Sequence, residues 1–363
     1  MWKIAEEQPK KKLKEENQNE KCLKEKGRKN MLNPLNRLKN ITGKSKNAFH
    51  EQVIGSLIGF TVGDALGVPL EFQSRQEAQG VSDMRGYGTH GQPKGSWSDD
   101  SSLTFCLVEN LIEGYDIEKL KNSFCEWYYY GYWTHDGKLP FDIGQSTFKA
   151  LSKIKAGISK GETGESSEKS NGNGSLMRVM PLSFYLKHTL SPNDKFPFIE
   201  EVSGITHAHI RSKIACSFYV EFAIQLLHDI QPKEAYQKTV RIITDYYTQQ
   251  GFADELIYFE RILQQDISLL EKEDIESSGY VIHSLEATLW CFLNHSTYRE
   301  VVLSAIQLGG DTDTIGALAG GLAGMYYGYS TIPSKWVRKI ARKNDIVDLS
   351  NRFYFSLKER TKC

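Results

Sequence analysis

The sequence predicts an all-α protein whose body is one helical domain. Three observations carry that expectation. From Phe49 onward, apolar residues recur at three- and four-residue spacing. Period-two alternation, the mark of strands, is scarce. Two ladders of glycines step by four residues, Gly55, Gly59, Gly63 and Gly67, then Gly316, Gly320, Gly324 and Gly328. A step of four keeps each ladder on one slowly drifting stripe of a helix.

The elements follow in order. Val53 to Val62 reads as a helix. Leu103, Leu107 and Leu111 mark one face of a second, which Gly114 is placed to end. Residues 157–174, rich in Gly, Ser and Glu, read as a surface loop. Ile214 to Ile230 is apolar on most sides and is expected to be a buried central helix. Leu285 to Leu293, Val301 to Leu308 and Thr314 to Tyr327 complete the set. There is no repeat of fixed period, and no linker divides residues 47–358.

Composition narrows the class. The chain has 363 residues, 40% hydrophobic and 25% charged, which is ordinary globular material with enough apolar mass for a large core. Its six cysteines form no C-x-x-C pair, and no histidine sits at zinc-ligand spacing from one. A disulfide framework or structural zinc is therefore not expected, and a reducing, cytoplasmic setting is. No apolar run reads as long enough to span a bilayer, and no signal-peptide core is apparent. Residues 1–46 hold twelve Lys and two Arg against six Glu, a net +8, so the remainder carries −8. With few large apolar residues, that first segment is expected to be a basic, disordered extension ahead of a domain at 47–363. An acidic body argues against a surface that grips nucleic acid. A monomer is expected.

Each interior glycine costs about 1 kcal/mol relative to alanine, so two ladders imply close backbone approach, either to other helices or to each other. The ladders end in acids. Asp64 lies within the first and Glu71 just past it; Asp311-Thr312-Asp313-Thr314 opens the second. Ser98-Asp99-Asp100 precedes the Leu103 helix. Taken singly, each acidic knot reads as an N-cap with acids in the first turn. Two matched knots plus Glu71 favour a cation site, since hard divalent ions take carboxylate and hydroxyl oxygens.

GFTVGDALGVPLEF, WSDDSSL, FDIGQSTFKAL, NGNGSLMRVMPL, ITHAH and LGGDTDTIGALAGGLAGMYYG occur in this order. Together they resemble the ADP-ribosylglycohydrolase family, over roughly Val53 to Trp336. The resemblance implies a single compact domain of orthogonal helices and a site for two divalent cations, Mg2+ or Mn2+. By motif, Ser98, Asp99 and Asp100 match one ligand group, with Ser98 in place of the usual Thr. Asp311, Asp313 and Thr314 match the other. Glu71 matches an acid near the first metal, and it and Asp100 are the implied catalytic residues. Asp142, Gly144, Ser146, Asn173, Gly174, Ser175 and His207 match positions around the ADP-ribose, with Gly144 to Thr147 opening the diphosphate loop.

The implied activity is metal-dependent hydrolysis of the glycosidic bond between ADP-ribose and an acceptor, a protein side chain or a small molecule. Two rivals remain at this stage. A two-metal site also suits phosphoester hydrolysis, and a catalytically silent ADP-ribose binder would carry the same motifs. Neighbouring features have structural readings. Asp64 reads as a hydrogen-bonded core acid, Trp97 as packing, and His209, His283 and His295 as local hydrogen-bonding groups. Arg178 is balanced between binding phosphate and pairing with a core carboxylate.

Overall fold

Capping chemistry written in the sequence sets several helix ends. The computed structural model describes residues 48–158 and 163–360. The expected extension at 1–46 lies outside the described residues, as do 159–162 of the expected surface loop. Eleven helices of nine residues or more are described: α1 (Ala48–Gly67), α2 (Asp99–Glu113), α3 (Ile117–Tyr130), α4 (Gln145–Lys155), α5 (Pro192–Gly204), α6 (Ile210–Leu227), α7 (Pro232–Gln249), α8 (Val281–Asn294), α9 (Tyr298–Ile306), α10 (Thr312–Tyr327) and α11 (Lys343–Arg360). Isolated bridges are the only β pairing among the described residues. The Ser98 hydroxyl accepts from the Asp100 N–H to start α2, and Gly114, at φ 102°, ends it. Asp116 caps α3 through the Glu118 and Lys119 N–H groups, and Gly131 at φ 75° closes it.

From Phe49 onward the described residues pack as one unit. Its centre is α6, where only Ile210 and Lys213 escape full burial. Helices α3, α4, α5, α7 and α11 escaped the sequence reading because each shows the core only a narrow stripe. On α3 that stripe is Leu120, Phe124 and Trp127; on α11 it is Ile346, Leu349, Phe353 and Leu357. The loop at 157–174 also differs from expectation at its end, where Ser170, Asn171, Asn173 and Gly174 are buried.

The two glycine ladders meet each other. A methyl built on Gly59 would lie 2.6 Å from the Gly320 carbonyl oxygen, and one on Gly316 would lie 2.6 Å from that of Gly63. Gly55 faces Gly324 in the same way. The reversed order makes α1 and α10 antiparallel, close enough for Cα–H groups to face carbonyl oxygens. Two rungs depart from the expected pattern. Gly67 meets the backbone of Thr312 and Asp313, and Gly328 is the cap that ends α10, at φ 89°. Residues 48–70 are, against the hydropathy expectation, long and apolar enough to cross a bilayer; here the most apolar window is entirely buried in the fold. Such a helix needs apolar residues on every side because neighbours surround it.

Candidate active site

The paired ladders end at one basin, and each acid reaches it by a local device. Beyond α1, a short 3-10 turn at Val68–Leu70 carries the chain to Glu71. Gly309 and Gly310 hold φ of 73° and 70°, a region that favours glycine. That turn is pinned by the Phe72 N–H donating to the Gly310 oxygen (2.7 Å) and the Asp311 N–H to the Ser277 oxygen (2.7 Å). It delivers Asp311 to the start of α10, where its side chain makes no capping bond. The carboxylate instead accepts from Asn173 Nδ2 at 2.6 Å, and Asn173 also donates to Ser284 Oγ at 2.8 Å.

Ligand-capable atoms of Glu71, Asp311 and Asp313 lie within 4.8 Å of one another. A second trio, Glu71, His90 and Asp142, meets the same limit. Asp100 joins the first group through Thr314 Oγ1, 3.4 Å from its Oδ2, and Ser98 Oγ donates to that same oxygen at 3.1 Å. Asp100 Oδ1 is buried with no hydrogen-bond partner among the described residues. Ser98, Asp99, Asp100, Asp313 and Thr314 are all buried.

Burial, followed by mutual repulsion, raises the carboxyl groups of Asp99, Asp100 and Asp313 well above their usual range. Burial also pushes Glu71 up to about 7, against a hydrogen bond to His90 that pulls it down. That bond, first among its causes, raises His90 in turn. Sequence reading missed His90; it stands apart from every quoted motif, and only the fold lays it on Glu71. Its ring packs against Phe141, centroids 5.1 Å apart. Asp64 is the core acid it was expected to be. It accepts from the Ser98 N–H (3.0 Å), the Ser101 N–H (3.1 Å) and Ser101 Oγ (2.6 Å), which ties the 98–101 turn to α1. Burial nevertheless holds it at about 7.

Beside this basin lies a less charged face. Gly144 stands exposed at the start of α4 without a side-chain cap, and Ser146 is half-buried there. Thr147, one residue on, has a buried Oγ1 with no partner among the described residues. A methyl on Gly174 would lie 3.1 Å from that hydroxyl and 2.7 Å from His207 Cε1, so these groups converge. The Ser175 side chain points inward instead, to Cys216 Sγ (3.4 Å) and Ser203 Oγ (2.9 Å). Arg178 pairs with no carboxylate among the described residues. Its guanidinium is buried and donates to the Gly174 oxygen, to Thr206 Oγ1 (2.7 Å) and to the Val202 oxygen (3.3 Å). The remaining features are local: Trp97 Nε1 donates to the Trp133 oxygen at 3.1 Å, His209 caps α6, and His283 and His295 bond within their own segments.

Fold and site together define an all-α enzyme with a centre of crowded carboxylates. The sequence model described as ADP-ribosylglycohydrolase matches residues 45–362. An ADP-ribosylarginine hydrolase of Serratia proteamaculans is 30% identical over 308 residues, covering 84% of this chain and 79% of that protein. The ADP-ribosyl-[dinitrogen reductase] glycohydrolase of Rhodospirillum rubrum is 28% identical, with 81% and 92% covered. A solved structure described as an ADP-ribosylglycohydrolase-related protein complex superposes with a TM-score of 0.71 at 27% identity, over 86% of this chain and 99% of that one. The chain belongs to the ADP-ribosylglycohydrolase family, hydrolases of the glycosidic bond between ADP-ribose and an acceptor.

Proposed function

We propose that this protein releases ADP-ribose from modified arginine side chains, with two magnesium or manganese ions in the basin. The observation that carries the metal reading is the convergence of Glu71, Asp311 and Asp313 beside an unsatisfied, buried Asp100 Oδ1. Carboxylates so crowded need positive charge, and the surrounding Ser98 and Thr314 hydroxyls complete an all-oxygen set suited to hard cations. Ser98, Asp99, Asp100, Asp311, Asp313 and Thr314 would hold the ions. When bound, such ions orient ribose hydroxyls and acidify water.

The chain's own groups do the rest. Glu71, held near neutrality by burial and fixed by His90, is suited to move a proton between water and the leaving nitrogen. Asp100 supports that step from the ligand group. Asn173 orients Asp311. Asp142, Gly144, Ser146, Gly174, the backbone at Ser175 and His207 receive the ADP-ribose, where small residues let backbone N–H groups reach anionic oxygens. The arginine linkage rests on the relatives named as ADP-ribosylarginine hydrolases, at 30% and 31% identity, and on the acidic basin, which favours a cationic leaving group. Residues 1–46 are dispensable for turnover on this reading, because the family match starts at residue 45.

A panel of arginine-, serine- and O-acetyl-linked ADP-ribose tests this, with chelator and with added Mg2+ or Mn2+. Free ADP-ribose should come from the arginine substrate and only with metal. Turnover of another linkage in preference would overturn the acceptor assignment. Full turnover in chelator would overturn the metal site.

A further inference from the structure

We propose that Arg178 and Thr206 are positioning residues that lock His207 in a single tautomer, with an Nε2–H donor presented to an anionic or hydroxyl oxygen of the ligand. This rests on the reading that the Gly172–Gly174 loop receives ADP-ribose.

The direction of each hydrogen bond follows from its donors. Arginine can only donate. Arg178 Nη2 lies 2.7 Å from Thr206 Oγ1, so that oxygen accepts. Thr206 is fully buried, and its hydroxyl proton still needs an acceptor. His207 Nδ1, 2.8 Å away, is the one within reach among the described residues. Nδ1 therefore accepts, and a neutral ring must carry its proton on Nε2. The ring is neutral because burial, and then the positive charge of Arg178, depress it to about 3.

Where Nε2 points supplies the second observation. It has no hydrogen-bond partner among the described residues, although His207 is only 3% exposed. A methyl on Gly172 would sit 3.5 Å from it and one on Gly174 3.4 Å, so it looks onto a face kept bare by glycines. The partnerless Thr147 hydroxyl converges on the same spot. Burying a guanidinium without a carboxylate is costly. Here it places two things at once, since the other amino group of Arg178 holds the Gly174 carbonyl. Loop and imidazole are thus set by one cation.

The test uses the full chain with Mg2+ and nitrogen-15 in its histidines, with His207→Asn to assign the signals. The parent should show an unprotonated Nδ1 and a protonated Nε2 at His207. Thr206→Val removes the hydroxyl at nearly constant volume; the tautomers should then mix. ADP-ribose, titrated by calorimetry, should bind about tenfold more weakly, the equivalent of one hydrogen bond. KM should rise with kcat unchanged, and Thr206→Ser should restore both readings. If Thr206→Val does not fold, Thr206→Ala carries the same measurements. A retained Nε2–H tautomer without the hydroxyl overturns the proposal. A changed tautomer with unchanged ADP-ribose binding, in this variant and in His207→Asn alike, would leave the relay standing and remove the loop from the ligand site.

Discussion

Between Gly55 and Gly63, α1 lies on α10 with backbone touching backbone. A turn or two further, the same pair of elements holds Asp313 and, past Gly67, Glu71, in surroundings that hold their carboxyl groups above the usual range. The ladder leaves no space for a side chain between the two backbones. The basin has more negative charge than its own hydrogen bonds can satisfy. Rigid packing at one end supplies the free energy that holds repelling acids together at the other. A functional site destabilises locally, and the adjoining contact offsets it.

This contrast can be broken at several points. The largest effect is expected at Glu71. Glu71→Gln keeps shape and removes the proton carrier, so turnover should fall by about 10²–10⁴-fold with ADP-ribose binding retained. Parent-like turnover would strip Glu71 of its role. Loss of metal alongside turnover would make it chiefly a ligand.

Next in size is the ladder. Gly63→Ala drives a methyl into the Gly316 carbonyl, which backbone cannot easily relieve. A loss of about 3 kcal/mol is expected, read from denaturant unfolding, with activity failing as stability does. A neutral result would mean that the helices can slide apart without consequence.

The basin should respond with the opposite sign. Asp313→Ala and Asp100→Asn each remove a buried, repelled charge, so in chelator these variants should melt higher than the parent, by roughly 2 °C or more. Metal affinity should fall in both. Lower melting without metal would show that the acids are satisfied after all.

Proton binding gives a smaller, graded version of the same effect. In chelator, Asp64 and Glu71 titrate near 7 in the fold against 3.8 and 4.5 as reference values. Across that window the folded state keeps protons that the unfolded chain has released. Stability is therefore greatest at the low end, falls as pH rises toward 7, and levels off above it. Saturating metal should flatten the slope, because positive charge beside Asp64 and Glu71 favours their ionised forms. A melting series from pH 5 to 8, with and without chelator, checks the sign.

Much of this was legible in particular residues. Gly114 ended α2 where expected, and Ser98 capped it, because caps act over a few residues of local chain. The ladders announced close approach through their spacing alone. The helices that escaped notice, such as α7 with its buried Tyr236, Thr239, Ile243 and Tyr247, mix aromatic and polar residues on a thin stripe that only the surrounding core defines. His90 escaped for another reason: a lone histidine 19 positions from Glu71 has no local signature.

By itself, the sequence determined the helical class, the order of the motifs and that acidic residues cluster at the ends of the two glycine ladders. These depend on side-chain chemistry and on spacing within one turn or one helix. Tertiary structure alone decided that the two ladders face each other, that Gly328 is a cap and not a rung, that Ser175 turns inward, and that Arg178 serves Thr206 and the Gly174 carbonyl. Each of those outcomes depends on which distant backbone arrives alongside, and burial then dictates which polar atoms must find one another.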